Sequence, residues 1–287
     1  MSASLETLVV AAYVFADEAV VPGCGPVGAT SDAELVALSV AQAAIGIPSD
    51  RQFLGLIGKL LPGWFPHLPC QSQYNRRLRR LAPLLAAVQL RIAELLASGE
   101  LRLADGTLIG VANYAGCRAR SEFAGTAAYG YCAAKSQYVW GVRLVLVTDR
   151  VGVPLGYTLV AANEKEYEPV RELTTAQAGC LLIADKGYWG REYAETLALQ
   201  GVRIRTPDRV RTADNLAREK HLAGLRLVIE STIANLKCQM RLEQHLAKTP
   251  RGLVQRIAQR LLALTIGMLL NALHGRPPRA LVAYDGR

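Results

Sequence analysis

The sequence predicts an α/β protein of the α+β kind, a mixed sheet flanked by helices behind a helical N-terminal region. Three observations lead there. Residues 5–100 read as helices, with capping signals at their starts. Residues 101–162 contain strand-like runs joined by turn residues. From residue 166 onward, helical patterns alternate with short apolar segments. Strands with antiparallel connections, followed by helix, strand, helix, strand, helix, describe one sheet covered on both faces.

The chain of 287 residues is long enough for one large domain with an attachment, or for two domains. The predicted division is a helical region at 1–100 and a sheet domain with C-terminal helices at 101–287. Hydrophobic residues make up 51% and charged residues 20%, which excludes a disordered chain. The net charge of +9 is unevenly spread: residues 213–287 hold 12 basic and 5 acidic residues, whereas residues 1–100 hold 7 and 8. An excess of that sign suits a polyanionic partner. Cys24, Cys70, Cys117, Cys132, Cys180 and Cys238 never form a C-x-x-C pair, so zinc is disfavoured and reduced thiols are expected. An N-terminus bearing Glu6, Asp17 and Glu18 without a basic leader makes a poor signal peptide. The apolar stretch Leu261 to Leu273 is too short for a membrane span, so the expected location is the cytoplasm.

Each element has its own signal. Ser31 with Glu34 is a capping box opening a helix to Ile45, which Gly46 and Pro48 close. A second helix follows Ser49. A third runs from about Ser72 through "SQYNRRLRRLAPLLAAVQLRIAELL", its first half basic with Arg76, Arg77, Arg79 and Arg80. Those arginines are either a solvated face or phosphate contacts. "LRLADGTLIGVA" and "WGVRLVLVTDRVGVPLGYTLVAA" are strand-like, with "DRVG" as a hairpin turn. Between them lies an insertion rich in Gly, Ala and Tyr. Its Tyr129, Tyr131, Tyr138 and Trp140 are expected to pack beneath the sheet, base stacking being the alternative. A helix near 166–178, a strand at 180–184, a further helix, a strand "VRIRT" and terminal helices complete the order. That order is the pattern of a ribonuclease-H-like fold. A dinucleotide-binding sheet competes, but no G-x-G-x-x-G follows a strand.

Three acids stand where they could converge. Asp105 lies in the first strand, and Asp185 closes the fourth, where open α/β sheets hold ligands. Glu230 lies in "LAGLRLVIESTIANLKCQM". With Leu225 at zero on a helical wheel, Ile229, Ile233, Leu236 and Met240 form a stripe at roughly 20 to 80°. Arg226, Lys237 and Glu230 then share one flank at about 100 to 140°. Each acid also has a plainer reading. Asp105 in "ADGT" suits a turn, Asp185 suits a helix cap, and Arg226 with Glu230 is an ordinary i,i+4 pair.

The segments "LADGTL", "YGYCAAKSQYVWGVRLVLVT", "LIADKGYWGRE" and "RLVIESTIANLK" resemble insertion-sequence transposases of the DDE type, most closely the insertion sequence 982 family. The resemblance covers nearly the whole chain, including "TPRGLVQRIAQRLLAL" near the end. It implies a ribonuclease-H-like catalytic domain from residue 101 on, in which Asp105, Asp185 and Glu230 are both the catalytic triad and the metal ligands. Eighty residues separate the two aspartates and forty-five separate Asp185 from Glu230, as suits the family. Of the motif Y-x2-R-x3-E-x6-K, Arg226, Glu230 and Lys237 match and Ala223 replaces the tyrosine. Gly106 stands where serine is usual.

The chemistry implied is two-metal-ion phosphoryl transfer. Two Mg²⁺ ions, for which Mn²⁺ could substitute, would activate the nucleophile and stabilise the leaving oxygen. Lys186, Arg226 and Lys237 would hold DNA phosphates beside the acids, and Arg76, Arg77, Arg79 and Arg80 would extend that contact. The implied partners are double-stranded DNA, the terminal inverted repeats of the protein's own element, target DNA, and further copies of the chain. The implied setting is a bacterial cytoplasm, with the nucleoid as the place of action. Two other functions compete: a non-catalytic DNA-binding protein derived from a transposase, and a metal-dependent nuclease without strand transfer.

Overall fold

The computed structural model describes residues 4–20, 30–112, 118–175, 179–188, 190–208, 212 and 214–286. Cys24 and Cys117 lie outside them, as do 113–117 of the insertion and 176–178 of the expected helix. The described Cys70, Cys132, Cys180 and Cys238 are free thiols.

Among the described residues five helices come first, α1 (Leu5–Ala19), α2 (Asp32–Ile45), α3 (Asp50–Leu60), α4 (Gln71–Arg80) and α5 (Ala82–Leu96). The capping box forms as expected: Ser31 Oγ accepts from Glu34 N at 3.1 Å and Glu34 Oε2 accepts from Ser31 N at 2.5 Å. Gly46, at φ 74°, ends α2 in the left-handed conformation. The third expected helix is two. Pro83 has no amide proton and cannot sit inside a helix, so α4 stops at Arg80 and Pro83 takes the second position of α5, where no donor is needed.

Among the described residues six strands follow in a single sheet: β1 (Leu101–Gly110), β2 (Ala128–Cys132), β3 (Gln137–Asp149), β4 (Pro154–Ala161), β5 (Leu181–Ile183) and β6 (Arg203–Arg205). β3 pairs antiparallel with β1, β2 and β4, whereas β5 runs parallel to both β1 and β6. The path β2-β3-β1-β5-β6, with β4 also on β3, gives the mixed sheet of a ribonuclease-H-like fold. The "DRVG" turn owes its shape to Asp149, whose Oδ1 accepts from Val151 N at 3.0 Å and Val153 N at 2.9 Å. α6 (Tyr167–Thr174) and α7 (Arg191–Leu199) flank the last three strands in sequence.

Two expectations about this region are corrected. The insertion contributes a strand, β2, paired with the start of β3 from Ala128↔Gly141 to Cys132↔Gln137. The tyrosines do not pack beneath the sheet: Tyr129, Tyr131 and Tyr138 are 44%, 54% and 71% exposed, and only Trp140 is buried. Period-2 alternation and register put all four on one face of the β2–β3 hairpin. The opposite face meets the protein, because a Cβ on Gly130 would strike the backbone of Ala162.

The chain ends with α8 (Leu216–Lys237) and α9 (Pro250–Leu273). Thr249 caps α9, accepting from Gly252 N at 3.1 Å, and Pro250 occupies the first turn. The apolar stretch at 261–273 is thus half of a 24-residue helix. By length and composition α9 could cross a membrane, yet 89% of its most apolar window is buried within the protein.

The described residues form two compact units, Met1–Leu95 with Ala234–Arg287, and Leu96–Ile233. The residues from Ala234 on group with the N-terminal helices. In that first unit α9 packs against α1, α2 and α4. The buried Asp50 carboxylate ties the helices together, accepting from Arg256 at 2.5 Å, Gln42 at 2.9 Å and Asn75 at 3.0 Å.

Candidate active site

The second unit positions the acids. Along β1, successive side chains alternate between the sheet faces. Ala104 joins an apolar cluster with Val145, Val170, Leu182, Ala184, Tyr188 and Leu197, the side on which α6 and α7 lie. Asp105 therefore points to the other side. On β5 Leu182 and Ala184 belong to the same cluster, so the alternation carries Asp185 to the side of Asp105. β5 itself ends at Ile183 and is the fifth strand, not the fourth. Asp185 lies two residues beyond it, and its Oδ1 accepts from Lys186 N at 2.6 Å at the entry to a short 3-10 turn, Lys186–Tyr188. Asp185 thus does cap a turn.

Glu230 reaches the same side on α8. Two residues later Thr232 anchors the helix, its hydroxyl donating to Gly152 O of the β3–β4 turn at 3.1 Å. Arg226, one turn earlier, joins the acids: Nη1 lies 3.3 Å from Asp185 Oδ1 and Nη2 lies 3.7 Å from Glu230 Oε1. Asp105 also feels Arg226 and Glu230. Its carboxyl is raised to about 6, chiefly by burial and further by Glu166 and Glu230, while the Gly106 N–H and Arg226 pull the other way. Among the described residues no three His, Cys, Asp or Glu side chains gather closely enough to hold a metal ion.

The remaining predicted residues fall into different settings. Lys186 is exposed beside Asp185. Lys237 belongs to the first unit, where its Nζ lies 3.3 Å from Glu243. Arg76, Arg79 and Arg80 are exposed on α4, and Arg79 lines a cavity of about 500 Å³ with Ser49, Asn75 and Lys248. Arg77 is committed to the framework, 2.5 Å from Asp32 and donating to Thr30 O at 2.8 Å.

Sequence reasoning missed Glu166. It stands at the start of α6, its Oε1 accepts from Arg143 of β3, and its Oε2 accepts from the Tyr188 hydroxyl at 2.9 Å. Nothing in "NEKEYEPVREL" sets this glutamate apart from its acidic neighbours. The one available signal was Gly106, since a Cβ there would come within 2.6 Å of the Glu166 carboxylate.

Comparison with known proteins assigns the family. Residues 97–266, more than half of the chain, match the family described as Transposase DDE domain. The chain belongs to this transposase family. Asp105, Asp185 and Glu230 all lie inside the matched transposase span. Two solved structures are also similar. The Mos1 transposase paired-end complex with left transposon end shares 13% identity over 77% of this chain and 82% of that chain, with a TM-score of 0.25. A pre-cleavage Mos1 transpososome shares 15% identity over 93% and 82%, with a TM-score of 0.24. Such scores place no residue of the transposase domain by superposition. No curated protein matches the chain.

Proposed function

We propose that this transposase-family protein cleaves DNA at the terminal inverted repeats of an insertion sequence and joins the freed end to target DNA, with kinship nearest to the insertion sequence 982 family. What supports the reading most is Arg226, whose guanidinium links Asp185 to Glu230 and acts on Asp105 as well. Acids far apart in sequence therefore share one cationic neighbour.

The donor set fits hard divalent cations, since it offers carboxylate oxygens without imidazole or thiolate. Burial raises the Asp105 carboxyl to about 6, and the neighbouring charges of Glu166 and Glu230 raise it further. Asp105, Asp185 and Glu230 would hold two Mg²⁺ ions, or Mn²⁺ in their place. When bound, such a pair supplies nucleophile activation and charge relief at the leaving oxygen. The chain's own residues orient the substrate. Arg226 and Lys186 sit beside the acids to hold phosphate oxygens, and Lys237, Arg76, Arg79 and Arg80 of the first unit would meet phosphates of the same DNA on their own account. Water would attack phosphorus as the bond to the 3′ oxygen breaks. The resulting 3′-hydroxyl would lose its proton and attack a target phosphodiester, forming the new P–O bond as the target strand's own 3′ oxygen leaves.

The exposed tyrosine face favours a further contact with DNA. Tyr131 and Tyr138 pack edge to face with ring centroids 5.3 Å apart, and Arg118 lies 4.2 Å over the Tyr129 ring. Aromatic rings with a cation on one open face suit unpaired bases at a frayed element end. Further copies of the chain would assemble on the paired ends.

The deciding experiment incubates the protein with Mg²⁺, labelled element-end DNA and a target plasmid, and resolves the products on a gel. Joined products are expected. Cleavage without joining would reassign the protein as a nuclease, and binding without cleavage would leave a DNA-binding derivative.

A further inference from the structure

We infer that Glu166 is a positioning residue: a half-buried post that fixes the strand carrying Asp105 and the turn carrying Asp185 against one another. It rests on the transferase reading only for what that fixed geometry serves.

Both oxygens of Glu166 are used by the framework. Oε1 takes the Arg143 guanidinium and Oε2 takes the Tyr188 hydroxyl at 2.9 Å. Side-chain exposure is only 18% for Glu166 and 20% for Arg143, so these charge-assisted bonds form largely away from water. A carboxylate so occupied holds its neighbours rather than a substrate. Arg143 is paired opposite Leu108 of β1 and Val160 of β4, and it also donates to Ala162 O at 3.1 Å. The foot of the post is therefore the centre of the sheet.

Its two working contacts are with the acid-bearing segments. Tyr188 is 4% exposed, and its own amide donates to Asp185 O at 3.0 Å, so holding the Tyr188 ring holds the turn that aims Asp185. On the other side the Glu166 carboxylate fills the space where a side chain at 106 would stand, directly behind Asp105. Gly106 in turn donates its N–H to Asp105 Oδ1 at 2.8 Å. One side chain thus contacts the neighbour of the first aspartate and the closing residue of the second aspartate's turn. The missing side chain at 106 and the glutamate at 166 are two halves of one fit.

The test compares Glu166→Gln, Tyr188→Phe and their double variant with the wild type. Amide exchange at Tyr188 and Gly106 is followed in the native protein, together with the thermal midpoint and steady-state DNA cleavage. Each single variant is expected to speed exchange at Tyr188 by about tenfold or more. Each should also lower kcat by roughly 10- to 100-fold with KM for DNA within about twofold, and the double should be no worse than the worse single. Unchanged exchange, or losses that multiply, would overturn the post. A steric arm uses stability alone. Gly106→Ala should lower the midpoint in the wild-type background and cost much less alongside Glu166→Ala, whereas equal costs would overturn the fit. If the wild type does not cleave at all, the transferase reading falls, and the exchange and steric arms still decide on Glu166.

Discussion

Arg226 approaches Asp185 to 3.3 Å, a contact between a helix and a turn forty-one positions apart in the chain. The same guanidinium meets Glu230 at 3.7 Å, and both carboxylates are about half exposed. Pairs that wet contribute less than about 1 kcal/mol each to stability. Arg226→Gln should therefore leave the thermal midpoint almost unmoved while weakening phosphate contact, with cleavage lowered by roughly 10- to 100-fold. A paired melt and cleavage assay separates the two effects. A loss of several kcal/mol of stability would recast Arg226 as a structural strut.

Asp185→Asn keeps the side chain's shape and its capping of Lys186 N, but removes its charge. Cleavage should fall by at least about 10³-fold, roughly 4 kcal/mol of transition-state stabilisation. Metal-free binding to element-end DNA should stay near wild type, or tighten as repulsion of phosphate is relieved. Asp105→Asn and Glu230→Gln should behave alike, and their losses should not add, since the acids act as a unit. Wild-type cleavage by the Asp185→Asn protein, measured beside a gel shift on identical DNA, would reduce this acid to a turn cap.

The Asp105 carboxyl, raised to about 6 from 3.8, sets a pH dependence with a definite sign. A folded-state value above the unfolded one means that the folded protein binds the proton more tightly. Stability from this group is complete below about pH 4 and is lost as pH rises through about 6. Melting curves of metal-free protein between those values should show the decline, and Asp105→Asn should flatten it. An equal slope in that variant would assign the effect to another group.

For the tyrosine face, Tyr138→Ala should weaken binding to DNA with an unpaired end by roughly 5- to 100-fold, the range of one base stacked on an aromatic ring. Tyr138→Phe should retain most of the affinity, because stacking needs the ring and not the hydroxyl. The dependence on salt should be unaltered in both, as no phosphate contact is lost. Anisotropy titrations with frayed and fully paired duplexes give all three readings. Equal losses on the two duplexes would exclude stacking.

The exposed arginines of α4 make a contrasting case. Replacing Arg76, Arg79 and Arg80 together by alanine should lower DNA affinity and reduce the salt slope by about three, near one unit for each phosphate contact removed. Arg77 is left in place because its bond to Asp32 would confuse stability with binding. An unchanged slope would make the cluster a solvated face.

Local chemistry was legible in the sequence where it acts over a few residues. The Ser31–Glu34 box, the Asp149 turn and the strand position of Asp105 all depend on near neighbours, while Asp185 falls two residues past its strand. Even Arg226 and Glu230 could be placed on one helix flank from spacing. What could not be read depends on partners distant in the chain. β2 is a strand because β3 pairs with it, since its Ala and Gly dilute the β signal of its two tyrosines. The tyrosines face outward because Gly130 admits Ala162 behind the hairpin, a contact no local pattern announces. The break after α4 was within reach, and Pro83 was the sign overlooked.

The space shared by Gly106 and Glu166 bears on how chains of this kind can change over time. A serine at 106 and a long acid at 166 compete for the same volume. A drifting sequence cannot acquire the serine first without a collision, and it cannot shorten the acid first without releasing Tyr188 and Arg143. On the proposed fit the two positions would be tied in inheritance, and a lineage crossing from one arrangement to the other would pass through a weakened ancestor or change both residues together.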